Sequence, residues 1–229
     1  LSAQSFSYSE DFTGSDGSFP TDWYNDNGSQ AFSPNTVEIQ SNEFLFSRSS
    51  GQTGNRRNAA FDGTASGVDS ADWADYTVEV FWSETRQDSG THTTGIIGRW
   101  QGTSDEFSGY YAYERGGSIR IATGLPENTA PTDLAQTSLT RTPSNNEVVR
   151  QTFELSGSTL TSTLFAEGTT TGVFDDQLGS VTISDSTYSQ GSAGLRALLA
   201  DDGRSATFDD FSVTGAAIPE TQTYALLFG

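Results

Sequence analysis

Residues 75–84 of the chain read DYTVEVFWSE, and the alternation in this stretch decides the fold. Successive side chains of a β-strand point to opposite faces, so alternating apolar and polar residues predict a strand with one face in a core. The face predicted to lie in the core carries Tyr76, Val78, Val80 and Trp82. The opposite, mixed face carries Thr77, Glu79, Phe81 and Ser83.

Similar segments recur along the chain with centres about 8 to 12 residues apart, which is the spacing of an all-β sandwich or barrel. We predict strands at Phe6–Phe12, Thr36–Arg48, Thr94–Gln101, Tyr110–Glu114, Ser118–Thr123, Glu147–Leu155, Thr159–Glu167, Ser180–Ser184, Gly194–Ala200 and Ala206–Val213. Residue pairs that supply the positive φ of tight turns lie between several of them, namely Asn27-Gly28, Asp62-Gly63, Gly116-Gly117 and Asp202-Gly203. Residues 128–146, which are rich in Thr and Ser, are expected to form a surface connection.

The composition excludes several classes of protein. With 229 residues, 33% of them hydrophobic, and 24 glycines, the chain can bury the core of one all-β domain, and helix is the minor state. Its net charge of −19 would repel phosphate backbones, so we expect no nucleic-acid partner. No apolar run approaches the roughly 20 residues that span a bilayer, so no membrane partner is expected for the chain as given. The sequence has no Cys, which excludes disulfides and thiolate metal sites.

Four segments carry a family resemblance through their order along the chain. They are Ser9-Glu10-Asp11-Phe12, Tyr76-Thr77-Val78-Glu79-Val80, Gly191-Ser192-Ala193-Gly194-Leu195 and Thr207-Phe208-Asp209-Asp210-Phe211-Ser212-Val213. This order resembles the concanavalin A-like lectin/glucanase sandwich in its laminin G-like branch. The resemblance implies an all-β, antiparallel jelly-roll β-sandwich, which we expect to occupy residues 1–214 as one lectin-like domain.

The resemblance also implies that the first and last strands pair, which would bring Glu10 and Asp11 near Asp209 and Asp210. Carboxylates at that density repel one another unless a cation neutralises them, and Ca²⁺ prefers such oxygen ligands. We therefore predict a structural calcium site there, with a solvated acidic strand edge as the alternative. The run Phe208-Asp209-Asp210-Phe211 breaks strict alternation, which predicts a β-bulge at its two aspartates.

Aromatic and arginine residues gather in residues 94–120. Period-two parity can place on one face Arg99, Gln101, Tyr111, Tyr113, Arg115 and, beyond them, Arg120. Sugars are held by aromatic faces and planar hydrogen-bonding groups, and arginines suit anionic polysaccharides, so we predict a glycan-binding face to which Arg56-Arg57 would add. In the alternative register, Tyr111 and Tyr113 belong to the core together with Trp100, and Tyr110 is exposed.

Catalytic signatures of this fold do not occur in the sequence. The Glu-x-Asp-x-x-Glu strand of laminarinase-type glycosidases is missing, and so is the Gln-x-His strand of alginate-lyase-type enzymes. The single histidine, His92, lies in Thr91-His92-Thr93, which we interpret as a loop. We therefore expect a protein that is not an enzyme.

The C-terminal segment, Ile218–Gly229, is similar to the start of a PEP-CTERM sorting signal. Thr221 stands where a second proline is usual, and neither the membrane helix nor the arginine cluster of that family is present. The resemblance implies an exported bacterial protein, and the start at Leu1 without Met indicates that a signal peptide has been removed. We expect residues 215–229 to be a sorting-signal tail and the protein to be extracellular or at the cell surface.

This tail carries an apolar stretch, Tyr224, Leu226, Leu227 and Phe228, that something should cover. It either folds back on its own sandwich or adds to the strand edge of a neighbour, which would make a head-to-tail polymer. The sequence therefore predicts a non-catalytic subunit of an extracellular matrix or filament, with itself as partner. The alternative is a lectin-like module that binds anionic polysaccharide.

Overall fold

The computed structural model of the protein describes residues 5–26, 36–48, 56–61, 70–85, 92–101, 108–124, 131–199 and 203–217. In chain order the strands are β1 (Ser5–Glu10), β2 (Trp23–Asp26), β3 (Thr36–Gln40), β4 (Glu43–Ser47), β5 (Arg56–Phe61), β6 (Trp73–Glu84), β7 (Thr93–Gln101), β8 (Ser108–Arg115), β9 (Ser118–Thr123), β10 (Thr132–Ser138), β11 (Val149–Ser156), β12 (Thr159–Ala166), β13 (Asp176–Ser184), β14 (Ser192–Leu198) and β15 (Ser205–Ala217). One short 3-10 helix, Ser70–Asp72, precedes β6. Among the described residues there is no helix long and apolar enough to cross a membrane.

Two sheets hold these strands. The eight-stranded sheet has the order β13-β12-β11-β6-β15-β4-β3, with β1 also paired to β15, and the seven-stranded sheet has the order β10-β9-β8-β7-β14-β5-β2. Every pairing described is antiparallel, including that of the first and last strands, which runs from Ser5↔Ala216 to Glu10↔Phe211. The predicted all-β, antiparallel jelly-roll β-sandwich is confirmed.

Strand β6 builds the centre of the core, as the sequence predicts. Tyr76, Val78, Val80 and Trp82 are 3% exposed or less, and the alternate residues of the strand from Thr77 onward are half-buried. The inner faces of both sheets meet these side chains in one apolar cluster. Burying a large apolar side chain is worth about 1.5–3 kcal/mol, so a one-residue slip of this strand would be very unfavourable.

Gln151 of β11 is a polar group placed inside this core, with no exposed surface. Its side-chain oxygen accepts a hydrogen bond from Trp82 Nε1 at 2.9 Å. Its Nε2 donates to the Ala112 carbonyl oxygen of the other sheet at 3.1 Å and to Ser162 Oγ at 3.1 Å. A buried polar group is tolerated when its hydrogen bonds are satisfied, and these bonds also join the two sheets.

Residues 36–48 form the hairpin of β3 and β4. The chain reverses at Ser41 and Asn42, whose φ angles are 57° and 62°. This left-handed conformation suits Asn, but no glycine marks the turn in the sequence. The single strand predicted for these residues is therefore wrong, because the turn lacks the usual glycine signal.

Strands β2, β5 and β10 fall outside the predicted segments. β10 lies within residues 128–146, where the sequence predicts a surface connection, and forms an edge of the seven-stranded sheet. Its side chains are mostly polar, and Leu134 and Ala135 are the ones that pack against the core. An edge strand with so few core contacts has little apolar alternation to reveal it. At the other end of the chain, β15 continues past residue 214, where the predicted domain ends.

The predicted turns can be checked in part. Gly116 and Gly117 have φ angles of 58° and 77° in the tight turn between β8 and β9, which is confirmed. Gly203 has a φ of 72° shortly before β15. The other predicted turn residues lie outside the described residues, and so does the apolar tail. Assembly through that tail stays a prediction.

Replacing Gln151 with Leu should lower the free energy of unfolding by about 2–3 kcal/mol, because Trp82 Nε1 would be left without an acceptor in the core. Denaturant unfolding followed by tryptophan fluorescence measures this change. Gln177→Leu, at an exposed position of β13, is the matched control and should change the value by less than about 0.5 kcal/mol. A Gln151→Leu variant as stable as the wild type would contradict the role given to this side chain.

Candidate functional site

The predicted glycan-binding face maps onto the seven-stranded sheet. In β8, Tyr110 and Ala112 belong to the apolar cluster between the sheets, whereas Tyr111 and Tyr113 belong to a second apolar cluster. We call the side that carries this second cluster the outer face of the seven-stranded sheet. Arg120 of β9 is the direct cross-strand partner of Tyr113 and so shares this face.

Tyr111 and Tyr113 lie in a buried layer, with exposures of 0% and 1%. Their rings stack with centroids 4.4 Å apart and planes 17° apart. The guanidinium carbon of Arg196 lies 4.5 Å from the centroid of the Tyr111 ring. The other members of the cluster are Ile97, Trp100 and Ala122. Both tyrosine rings are covered in this structure, so a sugar cannot stack on them without displacing their neighbours.

The hydroxyls of these tyrosines are engaged as well. Tyr111 Oη donates to Thr93 Oγ1 at 2.9 Å, and Tyr113 Oη donates to Asp133 Oδ1 at 2.5 Å. Arg120 Nη1 binds the other oxygen of the same carboxylate at 2.6 Å. Burial, and then the hydrogen bond to Asp133, raise the pKa of Tyr113, so its hydroxyl stays protonated. Phenol, carboxylate and guanidinium thus form a connected network.

Arg99 is predicted to be part of the glycan-binding face, but its side chain does not lie on the outer face of the seven-stranded sheet. The ladder between β7 and β8 shifts register around Arg99, which has a φ of 49°. A bulge adds a residue to one strand and changes the side on which the following residues point, which places Trp100 in the outer cluster. The buried Arg99 side chain donates to the carbonyl oxygens of Ala74 at 2.9 Å and Tyr188 at 3.0 Å. It also lies 3.4 Å from Asp75 Oδ1.

The other predicted members do not gather around the tyrosines as one open surface. Gln101 is exposed at the end of β7, and its Nε2 donates to the Gln190 carbonyl oxygen at 2.7 Å. Arg115 is half-buried at the end of β8, and only the backbone of Arg56-Arg57 is described. The two tyrosines and Arg120 are thus brought together, and binding of an anionic glycan at this face stays a prediction.

The predicted bulge at Asp209-Asp210 is confirmed. The ladder between β15 and β6 shifts register between Asp209 and Ser212, and Asp210 has a φ of 48°. Because of this extra residue, Phe208 and Phe211 are both fully buried in the core. The aspartates between them lie on the solvent side, where Asp209 is half-buried and Asp210 is exposed.

The four acids predicted to bind calcium do not form a ligand set. The Glu10 carboxylate accepts hydrogen bonds from the Phe12 N–H at 2.9 Å and from the Tyr8 hydroxyl at 3.2 Å. Asp11 Oδ1 accepts two from Thr13, at 2.9 and 3.2 Å. Within the residues described, no group of three or more acids or histidines is placed to hold a metal ion. These residues do not fit Ca²⁺, whose sites gather several oxygens around one point.

A groove with a volume of about 300 Å³ opens on the side of the eight-stranded sheet that faces away from the core. Strands β6 and β15 form its floor, and Phe81 and Asp209 are direct partners across this pair. Ser83 and Thr207 are the next partners on the same face of the ladder, with Oγ and Oγ1 hydrogen-bonded at 2.9 Å. The groove therefore has an aromatic side on β6 and an acidic side on β15.

The aromatic side is a corner of two rings. Phe81 and Phe174, which precedes β13, meet edge to face with centroids 4.9 Å apart and planes 77° apart. Val148, which is 45% exposed, extends the apolar wall. Both rings are half-buried, so part of their apolar surface is open to a ligand.

The acidic side carries Asp209, Asp210 and Glu43. Burial, and then the negative charges of Asp210, Glu43 and Asp11, raise the pKa of Asp209, against the lowering effect of the Asp210 N–H. In the described parts of the chain, no arginine forms an ion pair with the three groove carboxylates. The groove therefore combines open aromatic surface with carboxylates that no arginine in the described part of the chain neutralises.

Sequence reasoning missed this groove, although one of its residues was visible. Phe81 stands on the mixed face of the strand that decides the fold, but a single aromatic side chain among polar ones does not by itself indicate a binding surface. Phe174 and Val148 precede strands, and no local pattern indicates that they approach β6. Their contact depends on how β11 and β13 are placed in the sheet.

Comparisons with known proteins bear on the fold. No family model and no curated protein matches the sequence. The carbohydrate-binding module CBM66 of Bacillus subtilis is 16% identical, with a TM-score of 0.55 over 85% of this chain and 96% of its own. Arcelin-5, a lectin-like defense protein from Phaseolus vulgaris, is 9% identical, with a TM-score of 0.59 over 94% of this chain and 100% of its own. The VIP36 exoplasmic/lumenal domain, bound to Ca²⁺ and Man3GlcNAc, is 11% identical, with a TM-score of 0.57 over 88% and 86% of the two chains.

The likeness is one of fold. At these identities, it shows that the chain has an antiparallel β-sandwich fold, and a shared fold does not specify the ligand or its site.

Replacing Asp209 with Asn should raise the melting temperature at neutral pH by about 1–2 °C, because it removes a charge that burial and neighbouring acids disfavour. Solvent exposure of this carboxylate keeps the effect small. Asn retains an oxygen to accept the Asp210 N–H, which lies 2.9 Å from Asp209 Oδ1.

The same substitution should change the pH dependence of stability. A raised pKa means that the folded protein holds this proton at pH values where the unfolded chain has lost it, so wild-type stability falls as pH rises through the folded-state pKa of Asp209. The advantage of Asp209→Asn should therefore shrink as pH falls through that value. Thermal unfolding at stepped pH measures it, and a difference that stays constant with pH would count against this assignment.

Proposed function

We propose that the chain is a lectin-like glycan-binding module, secreted or at the cell surface, and that the groove on the eight-stranded sheet is its binding site. The observation that carries the proposal is open aromatic surface beside carboxylates that form no ion pair with any arginine of the described residues, in one groove. A sugar ring has an apolar C–H face that packs on aromatic rings, and hydroxyls that need hydrogen-bond partners. The groove offers an aromatic surface and polar hydrogen-bonding groups on the paired strands β6 and β15.

The size and position of the groove support a short stretch of glycan as ligand. A volume of about 300 Å³ lies at the lower end of small-molecule sites, and the groove is open along the sheet surface. A ring on Phe81 and Phe174 would direct its hydroxyls towards Asp209 and the Ser83–Thr207 pair. A polysaccharide could extend beyond the groove on either side without an enclosed cavity.

The fold of the chain supports glycan binding over the filament subunit predicted from the tail. Carbohydrate-binding modules and lectins share the sandwich architecture, whereas the apolar tail residues lie outside the described part of the chain. We propose a binding role without catalysis, since the sequence lacks the acid and histidine signatures that enzymes of this fold use.

Glycan-array screening followed by isothermal titration calorimetry tests the proposal. Phe174→Ala should weaken binding of the glycan found by about tenfold, equivalent to 1.4 kcal/mol, because it removes one wall of the aromatic corner. Phe165→Ala is the matched control: Phe165 is a half-buried ring of β12 outside the groove, and the guanidinium carbon of Arg150 lies 4.4 Å from its centroid. This control should bind as the wild type does.

Two results would overturn the proposal. One is a folded protein that binds no glycan on the array. The other is a glycan whose affinity is unchanged by Phe174→Ala, since such a ligand would have to bind elsewhere on the molecule.

A further inference from the structure

We infer that the glycan bound in this groove carries free, protonated amino groups, as polymers of glucosamine do. This inference rests on the proposed function and adds to it the sign of the ligand's charge. It differs from the anionic polysaccharide that the sequence predicts for the arginine-containing face.

The groove is lined by several acidic side chains. Glu43, Asp209 and Asp210 line it together, and Asp11 is near enough to affect Asp209. Burial, and then the charges of Asp210, Glu43 and Asp11, raise the pKa of Asp209, and none of the arginines in the described residues forms an ion pair with the groove carboxylates. A bound cation would relieve this repulsion, whereas a sugar bearing carboxylate or sulfate would add to it. The net charge of −19 gives the rest of the chain the same sign.

Two arginines near the groove pair with groups outside it. Arg150 is the cross-strand partner of Phe81 on the side away from the acids, but its guanidinium lies over the Phe165 ring and 3.6 Å from Glu79. Arg141 lies 2.6 Å from Glu147. Neither side chain neutralises the acidic side of the groove.

The aromatic and acidic sides of the groove lie close together. Phe81 and Asp209 are direct partners in an antiparallel ladder, which sets their Cβ atoms about 4.5–5.5 Å apart. A sugar ring packed on Phe81 therefore holds its ring substituents within reach of Asp209 and Asp210. A protonated amine at that position forms charge-assisted hydrogen bonds, roughly twice as strong as those of a hydroxyl or an N-acetyl group.

This geometry favours an amino sugar over other cations. A bare metal ion lacks a ligand set, because no three acids or histidines among the described residues are placed to hold one. The ammonium group of a lysine side chain could meet the carboxylates but brings no ring to the corner of Phe81 and Phe174. An amino sugar supplies both contacts in a single unit.

Calorimetric titration of the full chain with two oligosaccharides tests the inference. The β-1,4-linked tetramer of glucosamine and the corresponding tetramer of N-acetylglucosamine have the same backbone and differ in charge. At about pH 6, where carboxylates are ionised and sugar amines protonated, the glucosamine tetramer should bind at least about tenfold more tightly. Its advantage should largely disappear in about 1 M salt, where charges are screened within about 3 Å.

Two variants locate the effect. Glu43→Gln combined with Asp210→Asn removes two groove charges, and Asn suits the φ of 48° at position 210. This double variant should lose most of the preference for the amine tetramer, measured as the ratio of its affinities for the two tetramers. Glu154→Gln, an exposed acid on β11 of the same sheet but outside the groove, is the control and should keep the preference.

The outcomes separate the two proposals. If neither tetramer and no arrayed glycan binds, the proposed function fails and the inference fails with it. If the N-acetylated tetramer binds as tightly as the amine tetramer or more tightly, the function stands and only the inference is overturned. Tetralysine is the third ligand: if it equals the amine tetramer and Phe174→Ala weakens neither, the groove is a general cation site and the inference is wrong.

Discussion

The ladder between β6 and β15 is the interaction on which the rest of the structure depends. β15 pairs with β6 on one side and with β4 and then β1 on the other, so it ties the start, the middle and the end of the described chain together. The bulge at Asp209-Asp210 lets Phe208 and Phe211 both enter the core despite their spacing. The same bulge leaves two carboxylates on the solvent side opposite Phe81. Closure of the sandwich and the chemistry of the groove thus come from one irregularity in one ladder.

The outward-facing sides of the two sheets differ in how fully their side chains are covered. On the seven-stranded sheet, the stacked tyrosines belong to a second apolar cluster, the Arg196 guanidinium lies over the Tyr111 ring, and both tyrosine hydroxyls are hydrogen-bonded within the protein. On the eight-stranded sheet, the outward residues of β6 from Thr77 onward are half-buried, and no arginine among the described residues forms an ion pair with the groove carboxylates. An aromatic residue is thus a sign of a ligand site only where its neighbours leave it exposed. This distinction favours Phe81 and Phe174 over Tyr111 and Tyr113 as sugar contacts.

The sequence predicts the architecture well because burial in a strand has a fixed period. The alternation of residues 75–84, the pairing of the first and last strands and the bulge at Asp209-Asp210 are all found in the structure. The sequence does not reveal the hairpin at Ser41-Asn42, because the left-handed turn there contains no glycine. β10 is hidden because an edge strand buries few apolar groups.

The site is harder to predict than the fold, because it depends on local backbone conformations and tertiary contacts. The alternation of side chains along a strand does not encode either of these. One residue with positive φ, Arg99, turns a predicted surface arginine into a buried one. The calcium prediction assumed that acids near one another would share a cation, but the Glu10 and Asp11 oxygens are taken by local donors. The groove needs Phe174, and only the tertiary arrangement brings that ring to β6.

The seven-stranded sheet is covered on both faces at β8, which limits the substitutions that this strand can accept over evolutionary time. Side chains of β8 face packed neighbours whichever way they point, so most replacements there alter a tightly fitted contact. Phe174 and Asp210 are bound by fewer such requirements, because they lie at the rim of an open groove. Drift should therefore concentrate at that rim, so that descendants of one ancestral chain would keep the sandwich while the shape and charge of the groove change.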